Sequence, residues 1–327
     1  MAFYDIFNGD ADGLCALHQL RLAQPREAQL ITGVKRDINL LRQVQAGAGD
    51  QLSILDISLH ENRADLERLL AAGARCEYFD HHYAGEIPRH AGLQAYIDTA
   101  PDVCTSLLVD RHLQGRFRLW AVAAAFGDNL HQAALQAAAP LGLSVEQLDL
   151  LRRLGESLNY NAYGETIDDL HYPPDDLYCL LQSYADPFDF IANEPVFDVL
   201  QAGFADDMAH AEEIAATLSS DTCALFILPN AAWARRINGV FANQLARQSP
   251  SRAHAVLVRN DSGFVVSVRA PVANPTGADA LCRQFAGGGR QAAAGINHLP
   301  EARLDEFSKK FEAAYAGATN PDDASFR

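Results

Sequence analysis

Residues 6–20 read IFNGDADGLCALHQL, and this stretch decides the fold. The apolar residues on either side predict a strand followed by a helix, with Asp10 and Asp12 in the glycine-bracketed turn between them. Two like charges two residues apart, beside a core that is about to form, indicate either a solvated turn or a bound cation. Taken alone, the turn fits a solvated loop in which an aspartate caps the helix.

Length and charge restrict the class of protein. The chain has 327 residues, 49% of them hydrophobic, which is enough for a large core and favours two domains. Its formal net charge of −16 argues against a basic surface that grips long duplex nucleic acid. The six cysteines lie far apart without a CxxC pair, so we expect free thiols and a cytoplasmic protein. We expect neither a signal peptide nor a membrane partner.

Short strand-like and helix-like runs alternate over the first half of the chain. Runs such as QLSILDIS and ARCEYFDHH predict strands, whereas INLLRQVQ and ENRADLERLLAAG predict helices. This alternation predicts an α/β fold whose N-terminal domain is a doubly wound parallel sheet. Further on, AHAVLVRN and GFVVSVRAP predict strands joined by a hairpin at NDSG. There, GADALCRQF predicts a helix and AGGGRQAAAG predicts a glycine-rich turn into another, which together indicate a smaller α+β domain.

The predicted organisation has four parts. The N-terminal domain covers residues 1–185, a helical linker covers 186–215, the smaller C-terminal domain covers 216–317, and a disordered tail covers 318–327. Within the first domain, residues 159–176 are rich in Tyr, Asn, Gly and Pro, which is typical of an irregular surface loop.

Acidic residues follow several of the predicted strands. Ligand sites of open parallel sheets lie outside the carboxyl ends of the strands, so these residues are expected to converge at one edge. Separate explanations, such as helix caps and solvated turns, would have to place every acid at that edge by coincidence. The residues are Asp10 and Asp12 after the first strand, Asp56 after QLSIL, Asp80, His81 and His82 after CEYF, and Asp128 after LWAVAAAFG.

The ligand types indicate which cation would neutralise these charges. Carboxylates with histidine and without a thiolate suit hard or borderline divalent ions such as Mn²⁺ or Mg²⁺ rather than structural zinc. Four carboxylates and one imidazole are more than one ion needs. Two ions that share a bridging aspartate, roughly 3.5–4 Å apart, are the arrangement used for phosphoester displacement.

Five motifs resemble one known family. NGDADG, LDIS, FDHH and AFGDN resemble, in order and spacing, the four N-terminal motifs of the DHH phosphoesterase superfamily, and GGGRQAAAG resembles the signature of its C-terminal substrate domain. The resemblance covers nearly the whole chain, least clearly residues 150–215. It implies a RecJ-like domain that holds two Mn²⁺ ions, with Mg²⁺ as an alternative, and a smaller domain that closes over the cleft.

The resemblance also implies a role for each residue. Asp10 and Asp12 would each bind one ion, and Asp56 would bridge the two. His81 and Asp128 would complete the shell of the second ion, and Asp80 would orient its neighbours. His82 would face the scissile phosphate, and a metal-activated water would carry out the hydrolysis.

Two positions depart from the family pattern. Asn8 stands where the family often has a histidine that binds the first ion, and an amide oxygen is a weaker ligand, which makes Asn8 the least secure candidate. Arg290 replaces the histidine of the glycine-rich signature, although arginine also suits phosphate binding. With Arg269 and the backbone of Gly287, Gly288 and Gly289, it forms the predicted substrate-binding group. Thr105 and Ser106 match a family segment, but a helix N-cap explains them more simply.

The substrate is predicted from charge and from the family. Long single strands need an extended basic groove, and the longest basic run here is ARR at residues 234–236. A short single-stranded oligonucleotide or a small nucleotide is therefore favoured, cleaved by an oligoribonuclease-like or phosphatase activity. A pyrophosphate or polyphosphate hydrolase is the enzymatic alternative, and a nucleotide-binding relative without catalysis is the alternative from another class. RNA or DNA preference, cleavage polarity and formation of a homodimer are left open.

Overall fold

A computed structural model describes residues 1–316. They form two compact units, the first spanning Met1–Gly203 and the second beginning at Phe204. The predicted borders near residues 185 and 215 stay predictions, and the predicted disordered tail lies outside the described residues.

The first unit contains a five-stranded sheet in the order β2-β1-β3-β4-β5. Each neighbouring pair is parallel, so the predicted parallel sheet is confirmed. The strands are shorter than the apolar runs that predicted them. They are β1 (Phe3–Phe7), β2 (Gln29–Ile31), β3 (Gln51–Leu55), β4 (Arg75–Asp80) and β5 (Leu93–Ile97).

Both faces of this sheet are covered, as a doubly wound fold requires. Phe7, Leu55 and Phe79 belong to one buried apolar cluster. Their neighbours in sequence, Ile6, Ile54 and Tyr78, belong to another. Successive side chains of a strand point to opposite faces, so the two clusters lie on opposite sides of the sheet.

Nine α-helices begin within the first unit as the structure describes it. The last of them continues past the border at Gly203 into the second unit. Among the helices of residues 1–316, none combines the length and hydrophobicity that crossing a bilayer requires. The nine are α1 (Ala11–Ala23), α2 (Leu59–Ala71), α3 (Thr105–His112), α4 (Arg118–Gly127), α5 (His131–Ala138), α6 (Val145–Asn161), α7 (Pro174–Leu181), α8 (Pro187–Asn193) and α9 (Val196–Glu212).

Two segments of the first unit differ from the predicted helix and loop. INLLRQVQ forms only a short 3₁₀ helix, Leu40–Gln43, because its backbone turns after one hydrogen-bonded turn into an extended residue, Val44. The predicted loop 159–176 is shorter than expected, since α6 extends into it and α7 begins at Pro174. Its irregular part contains the 3₁₀ helix Ile167–Asp169.

The second unit has a six-stranded mixed sheet in the order β10-β11-β9-β8-β7-β6. Within it, β7 and β8 are parallel and the other pairs are antiparallel. The predicted hairpin at NDSG is confirmed, because Asn260 pairs with Gly263 across a two-residue turn. The elements are β6 (Leu218–Ser219), β7 (Cys223–Leu228), α10 (Ala232–Gln248), β8 (Ala253–Asn260), β9 (Gly263–Arg269), α11 (Ala278–Arg283), β10 (Gly288–Gly289), β11 (Ala293–Pro300) and α12 (Leu304–Tyr315).

The glycine-rich segment AGGGRQAAAG does not lead into a helix, and that prediction was wrong. It forms a hairpin in which Gly289 pairs with Ala294, and Ala294 pairs in turn with Val268 of β9. Alanine favours helices, but the hydrogen bonds of the sheet outweigh this weak preference. A Cβ on Gly295 would lie 3.0 Å from a backbone oxygen of β9, so the small residues allow the close pairing.

Candidate metal centre

The turn after β1 is buried rather than solvated. Asp10 is the N-cap of α1, and its Oδ1 accepts hydrogen bonds from the backbone N–H groups of Asp12, at 3.0 Å, and Gly13, at 3.1 Å. A Cβ on Gly9 would lie 2.1 Å from the carbonyl oxygen of Gly33, so the turn needs glycine there. The sequence motif therefore fixes the position of Asp10 through the start of its own helix.

Asp12 is held by a different helix. Its Oδ2 accepts from the N–H of Thr105 and its Oδ1 accepts from the N–H of Ser106, both at 2.7 Å. The hydroxyl of Ser106 also donates to the carbonyl oxygen of Asp12, at 2.9 Å. These amides belong to the first turn of α3, where the unpaired N–H groups and the helix dipole favour a negative charge.

Asp56, at the end of β3, has an unusual backbone. Its φ is 59°, in the left-handed region that non-glycine residues seldom adopt. The backbone N–H of Asp56 donates to the carbonyl of Phe79 at 3.0 Å, and the hydroxyl of Thr105 donates to Asp56 Oδ1 at 3.0 Å. Strained residues of this kind cluster at functional sites, where the surrounding structure holds them.

His81 presents one ring nitrogen to the acids. Its Nδ1 lies 2.8 Å from the carbonyl oxygen of Val103, which can only accept, so Nδ1 carries a proton and donates it. In the neutral ring, Nε2 then keeps its lone pair, as a metal ligand must. Nε2 lies 3.5 Å from Asp56 Oδ1 and 3.9 Å from Asp128 Oδ2.

His82 is paired with Asp80. Its Nδ1 lies 2.7 Å from Asp80 Oδ1, and the His82 side chain is 43% exposed. Burial lowers the pKa of His82, but the hydrogen bond to Asp80 and the carboxylates of Asp12 and Asp10 outweigh it and raise this pKa. Asp80 is fully buried, and no group in residues 1–316 forms a hydrogen bond to its Oδ2.

The acids carry more negative charge than their surroundings offset. Burial, followed by repulsion from Asp12 and Asp10, raises the pKa of Asp56 well above its usual range. Burial and repulsion from Asp12 likewise raise the pKa of Asp128 to about 6. Burial and mutual repulsion thus disfavour the charged forms of these two carboxylates, and a bound divalent ion would offset both effects.

The donor atoms fit a divalent ion. Within residues 1–316, two overlapping groups have ligand atoms that all lie within 4.8 Å of one another, namely Asp12 with His81 and Asp128, and Asp56 with His81 and His82. Carboxylate oxygens with one or two imidazole nitrogens suit Mn²⁺. Asp12, Asp56, His81 and Asp128 fall in these groups, whereas Asp10 falls in neither, although its side chain interacts with that of Asp56.

Lys35 occupies the side of the site where Asp10 lies. Its ammonium donates to Asp10 Oδ2 at 2.5 Å and to Asn159 Oδ1 at 2.9 Å, and it lies 3.7 Å from Asp128 Oδ1. Although burial raises the pKa of Asp10, Lys35 outweighs it and lowers this pKa. Lys35 was not among the predicted site residues, although it follows β2 at the carboxyl edge and the chain has no other lysine before residue 309.

Asn8 takes part in the same arrangement. It is buried, its Nδ2 donates to the carbonyl of Lys35 at 3.2 Å, and its Oδ1 accepts from the N–H of Asp10 at 3.2 Å. Both ends of the amide therefore contact the backbone. That Asn8 is a metal ligand stays a prediction, and its contacts indicate a role in fixing the two loops.

Comparisons with known proteins identify the fold. No family model matches the sequence, and no curated protein matches it. The exonuclease RecJ bound to manganese is 16% identical, with a TM-score of 0.65 over 99% of this chain and 92% of that one. The chain has the fold of the DHH phosphoesterases.

Two further structures share this DHH fold. The pGpG-specific phosphodiesterase PggH from Vibrio cholerae is 14% identical, with a TM-score of 0.60 over 98% of this chain and 100% of that one. RecJ from Thermus thermophilus in complex with Mn²⁺ is 16% identical, with a TM-score of 0.56 over 96% of this chain and 52% of that one. The resemblance inferred from the five motifs is thus confirmed for the fold.

The second unit of the DHH fold contains the predicted phosphate-binding group. Arg290 is exposed at the tip of the β10–β11 hairpin, and Gly289 has a φ of 139°, which favours glycine. Arg269 lies in β9, which is a central strand rather than an edge strand. Its Nε donates to Asn243 Oδ1 at 2.6 Å, so α10 fixes its guanidinium. Their binding of phosphate stays a prediction.

Proposed function

We propose that this chain is a metal-dependent phosphoesterase that hydrolyses phosphodiester or phosphomonoester bonds of short oligonucleotides or small nucleotides. The observation that carries the proposal is the convergence of Asp12, Asp56, His81 and Asp128 at the carboxyl edge of the sheet. The raised pKa values of Asp56 and Asp128 and the burial of Asp12 and Asp56 favour a cation, and the oxygen and nitrogen donors favour Mn²⁺ or Mg²⁺.

A divalent ion held by these four side chains would supply Lewis-acid stabilisation of phosphoryl oxygens and would lower the pKa of a bound water. The protein's own groups prepare the site for it. The α3 amides fix the Asp12 carboxylate, and Thr105 fixes that of Asp56. The carbonyl of Val103 fixes the His81 ring with Nε2 toward the acids.

His82 is proposed to handle a proton. With Nδ1 donating to Asp80, the raised pKa of the ring favours a second proton on Nε2, which can pass to a leaving oxygen. Its 43% exposed side chain can reach a substrate, whereas the buried Asp80 acts through His82. In the second unit, Arg290 and the backbone of Gly287–Gly289 are proposed to bind substrate phosphate.

The proposal for a short substrate draws on charge and on the neighbours. A net charge of −16 disfavours long nucleic acid, which needs an extended basic groove. RecJ is an exonuclease and PggH acts on the dinucleotide pGpG, and both have this fold. We therefore propose that this chain, like these neighbours, acts on a nucleic-acid or nucleotide substrate, and that the substrate is a short oligonucleotide or a small nucleotide.

A panel of substrates tests the proposal. Purified protein with Mn²⁺ is assayed against bis-p-nitrophenyl phosphate, short RNA and DNA oligonucleotides, pGpG, 3′-phosphoadenosine 5′-phosphate and pyrophosphate, in parallel with Asp56→Ala. Turnover of a nucleotide substrate that falls by at least about 100-fold in Asp56→Ala supports the proposal. Turnover of pyrophosphate alone, or nucleotide binding without any turnover, contradicts it and supports one of the two alternatives.

A further inference from the structure

Two of the four clustered carboxylates, those of Asp10 and Asp128, already lie within ion-pair distance of the Lys35 ammonium. The ammonium of Lys35 donates hydrogen bonds to Asp10 and Asn159 and lies within ion-pair distance of Asp128. Its nearest contact, to Asp10 Oδ2, is 2.5 Å. The other oxygen of Asp10 already accepts two backbone hydrogen bonds, so the Asp10 carboxylate has little capacity left for a metal ion.

The backbone around Lys35 is fixed on both sides. Its N–H donates to the carbonyl of Ala162 at 2.9 Å, and its carbonyl accepts from Asn8 Nδ2 at 3.2 Å. Gly33, two residues earlier, is in contact with Gly9 of the turn after β1. Asn8, the residue that departs from the family pattern, therefore fixes the backbone of Lys35, while Asp10 and Asn159 fix its ammonium.

Lys35 lies beside the metal donors, on the opposite side of Asp128 from His81. Asp128 lies between the two sides, with Oδ1 3.7 Å from the Lys35 ammonium and Oδ2 3.9 Å from His81 Nε2. In a two-metal centre, a carboxylate likewise joins two positive charges roughly 3.5–4 Å apart. Asp128 thus shares its charge between an ammonium and the proposed ion site.

We propose that the ammonium of Lys35, held by Asp10 and Asn159 on a backbone that Asn8 fixes, takes the place of one of two divalent cations, so that this centre binds a single metal ion through Asp12, Asp56, His81 and Asp128. The inference rests on the proposed function for the existence of the metal site. One divalent ion and the ammonium supply three positive charges against the four carboxylates, counting Asp10. A second divalent ion could bind Asp10 only by displacing this ammonium, and if the ammonium stayed, the total would rise to five positive charges against four carboxylates.

The test measures metal content and magnetic coupling rather than activity. Wild-type protein, Lys35→Met, Lys35→Gln and the double variant Lys35→Met/Asn8→His are loaded with Mn²⁺, desalted and analysed for metal per chain. Electron paramagnetic resonance separates isolated ions, which give a six-line spectrum, from ions close enough to couple. Lys309→Met, which removes an exposed lysine of α12, is the matched control.

The expected result is about one uncoupled Mn²⁺ per chain for the wild type and for Lys309→Met. Lys35→Met or Lys35→Gln frees Asp10, so the content rises by about one ion, with a coupled spectrum. The double variant binds the added ion more tightly. Two coupled ions in the wild type, or no bound Mn²⁺, overturns the inference, and so does an unchanged content in a folded Lys35 variant.

The wild-type measurement is decisive even if a Lys35 variant does not fold. Failure of this inference is also distinct from failure of the proposed function. Two coupled ions together with nucleotide hydrolysis would overturn only the inference that the Lys35 ammonium replaces one metal ion. One uncoupled ion without hydrolysis of any phosphoester would support the replacement of one metal ion by the Lys35 ammonium and would contradict the proposed function.

Discussion

Asp10 and Asp12 lie two residues apart in one turn, yet the structure gives them different partners. Asp10 caps its own helix, α1, and pairs with Lys35. Asp12 accepts hydrogen bonds from two backbone amides of α3, which lies about 90 residues later in the chain. It also lies close to His81 and Asp128. Asp10 is thus paired with a lysine of the chain, whereas we propose that Asp12 binds the metal ion. Residues distant in sequence determine the partner of each carboxylate, so the number of metal ions does not follow from the acidic motif alone.

The largest expected effect comes from Asp56, whose Oδ1 lies 3.5 Å from His81 Nε2. Asp56→Asn should lower phosphoesterase activity by about 10³-fold, because the ion loses a charged ligand that stabilises the transition state. Asparagine tolerates the left-handed backbone, so the fold is retained. Steady-state rates with Mn²⁺ and urea unfolding without metal check both points. Activity within a few-fold of wild type would remove Asp56 from the centre.

Neutralising each aspartate in turn tests most directly whether Asp10 and Asp12 have different roles. Asp12→Asn should abolish high-affinity Mn²⁺ binding and cost about 1–3 kcal/mol of unfolding free energy, because one α3 amide loses its acceptor. Asp10→Asn should keep the single Mn²⁺ and the helix cap, since asparagine caps helices as well as aspartate does. Calorimetric titration with Mn²⁺ and urea unfolding without metal provide the readouts. Equal loss of Mn²⁺ in both variants would contradict the difference.

A smaller effect is expected from the hydroxyl that holds Asp56. Thr105→Val keeps the shape of the side chain and the backbone N–H that binds Asp12, but removes the donor to Asp56 Oδ1. Activity should fall by about 10- to 100-fold, as it does when groups that orient metal ligands are removed. The Mn²⁺ content should stay unchanged. A full loss of bound metal would instead make Thr105 part of the ion's immediate surroundings.

The smallest effect on activity is expected from a histidine outside the metal centre. Burial lowers the pKa of His18 to about 4, and its Nε2 lies 2.8 Å from the carbonyl of Tyr184. The unfolded chain takes up this proton below about pH 6.5, whereas the folded chain does so only near pH 4. The contribution of His18 to stability is therefore complete above about pH 6.5 and is lost as the pH falls toward 4.

His18→Gln keeps an N–H donor but cannot take up a proton. Metal-free wild-type protein should lose about 2 kcal/mol more than this variant between pH 7.5 and 4.5, while activity at pH 7.5 is retained. Urea unfolding at both pH values measures the difference. Parallel loss of stability in the two proteins would assign the acid sensitivity to the carboxylates of the metal centre instead.

Much of the first unit follows from local pattern. The alternation of apolar runs predicted the parallel sheet, and the position of each acid after a strand predicted a common edge. The failures have a common cause. AGGGRQAAAG pairs with β9 instead of leading into a helix, because sheet hydrogen bonds between residues far apart in sequence outweigh local propensity. The roles of Thr105, Ser106 and Lys35 were missed for the same reason, since each acts on a residue at least 25 positions away.

The fold class, the carboxyl edge at which the acids gather and the resemblance to the DHH phosphoesterases could all be inferred from the sequence alone. Those properties depend on residue types at short spacing, which the chain displays directly. Only the tertiary structure decided how the charges are shared. It placed the ammonium of Lys35 against Asp10 and the first turn of α3 against Asp12, because Coulomb and hydrogen-bond energies depend on distances in space.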